Sequence, residues 1–248
     1  MTTRLIFSIF ILMCASTSYG KTENKESTSN FNMYPRIING ERKAITIRAE
    51  KSTGSTTASY ADGTPVTNER IPNYLLSLQY FMDELIFGAE LSVAPISVLA
   101  NAQYDVLKEK RYKIGIGAGV GTVDYNTDQV LIPYSIHTIF SVKVIEDKKY
   151  ELTPYFGVQY LTSYERLKNR PKKGTTNNPT FNTVDRVEKM SYQLGLANDF
   201  KLDNNTLGVD VYGGIQDELH RSNVTSVLGT SSNSKLDHVV GIKFSFGF

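Results

Sequence analysis

Alternation of apolar and polar residues runs along the chain from about residue 42 to its last residue. It is plainest in residues 237–248, DHVVGIKFSFGF. There Val240, Ile242, Phe244, Phe246 and Phe248 alternate with Gly241, Lys243, Ser245 and Gly247. Successive side chains of a strand point to opposite faces. One face of this segment is therefore apolar and aromatic, and the other is small or charged. The same period recurs upstream. Residues 111–123 set Tyr112, Ile114, Ile116, Ala118 and Val120 against Lys113 and the glycines 115, 117, 119 and 121. Further strands are predicted near residues 42–51, 73–81, 85–93, 97–107, 131–145, 149–163, 188–201 and 206–217.

Connections between these segments alternate in length. Residues 82–84, 108–110, 146–148 and 202–205 read as tight turns, whereas 52–71, 164–186 and 218–236 read as long polar loops. Short turns at one end and long loops at the other describe a transmembrane barrel. The fold class read from this pattern is all-β: a closed antiparallel transmembrane β-barrel of about ten strands, with eight as the alternative. Aromatics support it, because Tyr80, Tyr104, Tyr112, Tyr150, Phe200 and Phe248 fall at the tight-turn ends. Tyr134, Tyr160 and Tyr192 fall toward the opposite ends, giving two girdles. A secreted β-sandwich also alternates, but with its apolar face inward.

The final strand, with Phe244, Phe246 and Phe248 on one face, resembles that of bacterial outer-membrane β-barrel proteins, in the broad OmpA/OmpW-like group. That resemblance implies a C-terminal assembly signal at Phe244, Phe246 and Phe248, read by the barrel-assembly machinery. It also implies contact with outer-membrane lipid and lipopolysaccharide, and residence in the bacterial outer membrane.

Composition narrows the picture. Residues 1–20 carry Arg4, an apolar stretch from Leu5 to Ala15, and small residues Ser18 and Gly20, as a signal peptide does. Residues 21–41 are expected to be a flexible periplasmic segment, and residues 42–248 the barrel. Cys14, the single cysteine, goes with the signal, which excludes disulfides and thiolate chemistry from the mature chain. Net charge is +2, or +1 without Arg4, and gives no basis for nucleic-acid binding. A monomer is expected.

The polar face carries Arg48, Glu50, Glu90, Asp105, Lys113, Lys143, Glu151, Asp199, Lys201, Asp210 and Lys243, which should line the lumen. Such a lining serves a narrow pore for small solutes or a polar core that fills the barrel. The inward glycines between 115 and 121 either leave local space or permit curvature. They do not form a dinucleotide-binding fingerprint, because Val120 and Thr122 stand where that spacing needs glycine.

Of the histidines, His137 is expected inside, His220 in a loop and His238 at the start of the last strand. None has metal-ligand spacing, so no metal, cofactor or catalytic residue is assigned. A lipid-A-directed enzyme stays as an alternative, with His220 near Asp217, Glu218 and Ser222. In the 164–186 loop, Arg166, Lys168, Arg170, Lys172 and Lys173 are candidates for lipopolysaccharide phosphates. The role expected is a structural or surface-interaction barrel.

Overall fold

In the computed structural model, ten strands follow one another around a closed antiparallel barrel. The structure describes residues 30–52, 56–59, 65–67, 73–93, 96–124, 129–167, 186–221, 232–233 and 236–248. The signal-peptide reading of residues 1–20 lies outside the described residues, as do Lys168, Arg170, Lys172 and Lys173.

The strands are β1 (Arg42–Ser52), β2 (Asn73–Met82), β3 (Leu85–Val93), β4 (Ile96–Lys108), β5 (Tyr112–Asp124), β6 (Gln129–Val142), β7 (Tyr150–Leu167), β8 (Arg186–Leu202), β9 (Asn205–Arg221) and β10 (Leu236–Gly247). Each pairs with its chain neighbour, and β10 returns to pair with β1 from Ala44↔Gly247 to Ser52↔Val239. Closure leaves no sheet edge, so the wall satisfies its own main-chain hydrogen bonds, as a membrane requires. Tight connections lie at one end. Two of them need a left-handed residue and use aspartate for it, Asp83 with φ 43° and Asp203 with φ 48°.

Several sequence-based boundaries move. β7, β8 and β9 run to Leu167, from Arg186 and to Arg221, so His220 lies on a strand opposite Glu188 rather than in a loop. These strands exceed the roughly 9–11 residues that cross a bilayer and project beyond it at the loop end. β6 stops at Val142, and after a two-residue break Ile145–Glu146 pairs with β7 as a separate short strand. Pro154 explains where β6 lets go: its missing N–H falls just before the pairing with β6 resumes at Tyr155↔Ser141. The long connections also hold short strands, Thr56–Ser59, Pro65–Thr67 and Ser232–Asn233, which form a small three-stranded sheet. β4 carries a bulge between Asp105 and Leu107, which leaves both Val106 and Leu107 exposed.

The largest departure concerns the segment before β1. Its described part is not periplasmic. Residues 30–35 and Ile37 are buried inside the barrel, with Asn30 fully so. The segment runs from the level of Glu50 and Gln216, toward the loop end, to Gly40, whose N–H reaches Asp83 Oδ1 at 2.9 Å in the first tight turn. Periplasmic placement fails because FNMYPRII is too apolar to leave in water while the lumen offers apolar seats.

Candidate site: the filled lumen

Period-2 alternation sends one set of side chains out and the other in. Outward, Leu194, Ile136 and Leu78 are 66, 61 and 60 % exposed, and Phe244 and Phe248 stand out with them. Inward, Glu90, Lys113 and Asp210 are 0 % exposed. A soluble fold would bury the first set and solvate the second. Here the oily face has nothing of the protein to pack on, and the charges are enclosed, which is the arrangement that lipid demands. The protein is a transmembrane β-barrel.

Comparison with known proteins finds only distant structural likenesses. No family model matches the chain, and no curated protein does. Among solved structures, the outer-membrane protease OmpT of Escherichia coli is 9% identical, with a TM-score of 0.37, covering 89% of this chain and 98% of its own. Ail, the attachment invasion locus protein of Yersinia pestis, is 10% identical with a TM-score of 0.33, covering 85% of this chain and 100% of its own. The KdgM porin is 10% identical with a TM-score of 0.32, covering 81% of this chain and 98% of its own.

Of the eleven charges assigned to the polar face, nine are buried, Glu151 is half-buried and the Lys201 side chain is 36% exposed near the tight turns; ten of them fall into four groups. Arg48 pairs with Glu90 at 2.7 Å and Glu50 at 3.3 Å, and the Tyr212 hydroxyl donates to Glu50 at 2.7 Å. Lys113 holds Asp105 at 3.0 Å. Lys143 and Lys201 share Glu151 at 3.2 and 2.6 Å near the tight turns. Lys243 meets Asp210 at 3.0 Å. Asp199, the remaining carboxylate, takes its cation from outside the wall. Arg36 of the inner segment donates to both Asp199 oxygens, at 2.7 and 3.0 Å, and to both Asp210 oxygens. Enclosed charges are tolerable only when paired in this way.

The wall is also built to receive the rest of the segment. Phe31 packs with Leu75, Leu99 and Leu161. Met33 packs with Ile139, Tyr155 and Tyr212. Tyr34 packs with Ala44, Phe81 and Ile86, its ring edge-on to Phe81 at 6.0 Å between centroids. These wall residues break the simple alternation by putting apolar groups on the polar face. Each large segment side chain also rests on a glycine. A Cβ at Gly119 would sit 2.3 Å from the Phe31 ring, and one at Gly157 would sit 2.6 Å from Met33 Sδ. At Gly88 it would meet the Tyr34 hydroxyl, and at Gly208 the Arg36 guanidinium. The space left by inward glycines is thus taken up by the chain itself.

Main-chain groups of the segment find side chains in place of a sheet ladder. Asn30 N donates to Glu50, and Asn101 donates to the Asn32 carbonyl at 2.7 Å. Lys243 reaches the Met33 carbonyl at 3.3 Å and Asn32 Oδ1 at 2.9 Å. Gln103 pairs with Tyr34 both ways, accepting from its N–H and donating to its carbonyl, each at 3.1 Å. Gln103 is itself held by Asp105 at 2.9 Å, with Lys113 behind, and His137 Nε2 lies 3.4 Å from its Oε1. His137 therefore serves as a wall group beside Gln103.

Ordering eight backbone residues costs roughly 8–16 kcal/mol. Burying Phe31, Met33, Tyr34 and Ile37 returns roughly 6–12 kcal/mol. The two nearly cancel, so the polar pairings decide whether the segment stays.

The other candidates are placed as follows. Arg166 lies on β7 opposite Val130, at the loop end. Phe244, Phe246 and Phe248 lie on the lipid face beside β1, and the Phe248 main chain exchanges two hydrogen bonds with Lys43, at 2.9 and 3.1 Å. Sequence reasoning missed Arg36, Phe31, Met33, Tyr34 and Gln103. The signal that could have found them is the coincidence of inward apolar residues with inward glycines.

Proposed function

We propose that this protein is a sealed outer-membrane barrel with a structural or surface-interaction role, closed to solutes in its resting form. The observation that supports it is the lumen filled by residues 30–37, whose side chains and main chain engage the wall throughout. A narrow channel for small solutes needs a continuous polar path, and Phe31, Met33 and Tyr34 stand across it. In the same reading the tight turns face the periplasm and the long strands β7, β8 and β9 carry loops outward. Arg166, whose backbone lies on β7, is then a candidate for lipopolysaccharide phosphates. The barrel-assembly machinery would recognise the β10 face. We read the barrel as non-enzymatic, with His137 committed to the Gln103 support.

The test is conductance. The mature chain, refolded and placed in planar bilayers, is expected to give no steady single-channel steps. Regular steps from chains that also show a heat-dependent shift on a gel, and so are folded, would overturn the sealed reading.

A further inference from the structure

We propose that the lumen is a sequence-selective peptide-binding site, and that residues 30–38 are its ligand, held in cis. The inference rests on the filled lumen but not on whether the barrel conducts. A plug that merely filled space would need bulk and little else. This one is read residue by residue, in the way that proteins recognise extended peptides: main-chain pairing gives affinity and side-chain pockets give selectivity.

Three layers of recognition are present. The first is main-chain reading. Gln103 presents a donor and an acceptor to Tyr34 N–H and C=O, as a neighbouring strand would. Asn101, Lys243 and Glu50 serve Asn32, Met33 and Asn30. Pro35, next in the segment, has no N–H to satisfy. The second layer is shape. Glycines 119, 157, 88 and 208 are cut out of the wall where Phe31, Met33, Tyr34 and Arg36 rest. The third is charge. Two carboxylates, Asp199 and Asp210, take one guanidinium by paired donors, geometry that lysine cannot reproduce. Tyr34 adds a hydroxyl donated to Asn101 Oδ1 at 2.5 Å. The ligand class follows: a peptide of the form Asn-Phe-Asn-Met-Tyr-Pro-Arg, with an aromatic, a thioether, a phenol and a guanidinium at fixed spacing. Recognition of this kind does not depend on the covalent link to β1. Asn39, Gly40 and Glu41, which make that link, are solvent-accessible.

The test severs the link in the full chain. A specific protease site is introduced between Asn39 and Glu41, the barrel is folded in detergent, and the link is cut. On size exclusion the cut segment should stay with the barrel. The cut chain is then unfolded in urea and refolded with equal amounts of two labelled peptides covering residues 30–38. One peptide has the native sequence and the other carries Tyr34→Ala and Arg36→Ala. A capture ratio of about tenfold or more in favour of the native peptide is expected, since charged hydrogen bonds are lost in the variant. Release of the segment on cutting, or equal capture of the two peptides by barrels that show the folded gel shift, would overturn the proposal. Conductance of the uncut chain is recorded separately. Steps there would refute sealing while leaving the capture ratio to decide recognition.

Discussion

Arg36→Ala should destabilise the barrel far more than the loss of a surface arginine. Arg36 is one-tenth exposed and makes four hydrogen bonds to Asp199 and Asp210, which are themselves almost wholly enclosed. Truncation keeps both carboxylates in place. Asp210 retains Lys243 at 3.0 Å, but Asp199 loses both hydrogen bonds from Arg36. Breaking an enclosed pair by removing one partner costs about 3–5 kcal/mol, against about 0–1 kcal/mol for an exposed pair. With a urea slope of about 2 kcal/mol/M, the midpoint should fall by about 2 M. The chain has no tryptophan, so far-ultraviolet circular dichroism and the heat-dependent gel shift are the suitable readouts. Asp199→Asn in the Arg36→Ala background should recover a good part of the loss, because the stranded charge is then gone. A midpoint shift below about 0.5 M, with no recovery from Asp199→Asn, would mean that Arg36 is solvated in solution and that the segment does not occupy the lumen.

Three further outcomes are expected. Gly88→Ala would bring a Cβ to 1.7 Å from the Tyr34 hydroxyl oxygen; it should cost about 1–3 kcal/mol by overpacking, most of it relieved by Tyr34→Phe, as read by urea unfolding of the single and double variants. Leu194→Arg, at the most exposed apolar position of β8, should cost about 2–4 kcal/mol in a bilayer; an unchanged folding yield into lipid vesicles would contradict the lipid-facing assignment. Deleting Phe248 removes its two main-chain hydrogen bonds to Lys43 at the β1–β10 seam, and should lower stability by about 1–3 kcal/mol, seen as a smaller folded fraction on unboiled gels.

Strands were legible in the sequence because their period is 2 and each faces the same two environments. Residues 111–123 and 237–248 show this directly, and tight turns such as Asp203 and Asn204 mark the ends. Lumenal charges followed from the same period, since Glu90, Lys113 and Asp210 fall on the face opposite Leu91, Ile114 and Val211. The segment at 30–38 was not legible, because it has no period of its own. Its partners lie far along the chain, with Phe31 against Leu161 and Arg36 against Asp199 and Asp210. Its sequence next to polar residues 21–29 looks like the end of a leader. The wall carried the missing information. Leu75, Leu99, Ile139, Tyr155 and Tyr212 contradict their own face, and an enclosed apolar group implies an apolar guest. Strand ends at Leu167, Arg186 and Arg221 were misjudged because, beyond the lipid, polar residues appear on both faces and the alternation stops reporting.

The inner segment has a consequence for biogenesis. From Glu50 on β1 to Lys243 on β10, it contacts every stave of the barrel: Leu75, Ile86, Asn101, Gly119, Ile139, Gly157, Asp199 and Tyr212 supply the other eight. Its rings are lodged behind a wall in which each of the ten strands is paired on both sides. The cask is therefore coopered around its contents. The segment ahead of β1 must already be in position when the last stave swings in beside the first, and a nascent barrel that shuts too soon would trap water where Phe31 and Tyr34 belong.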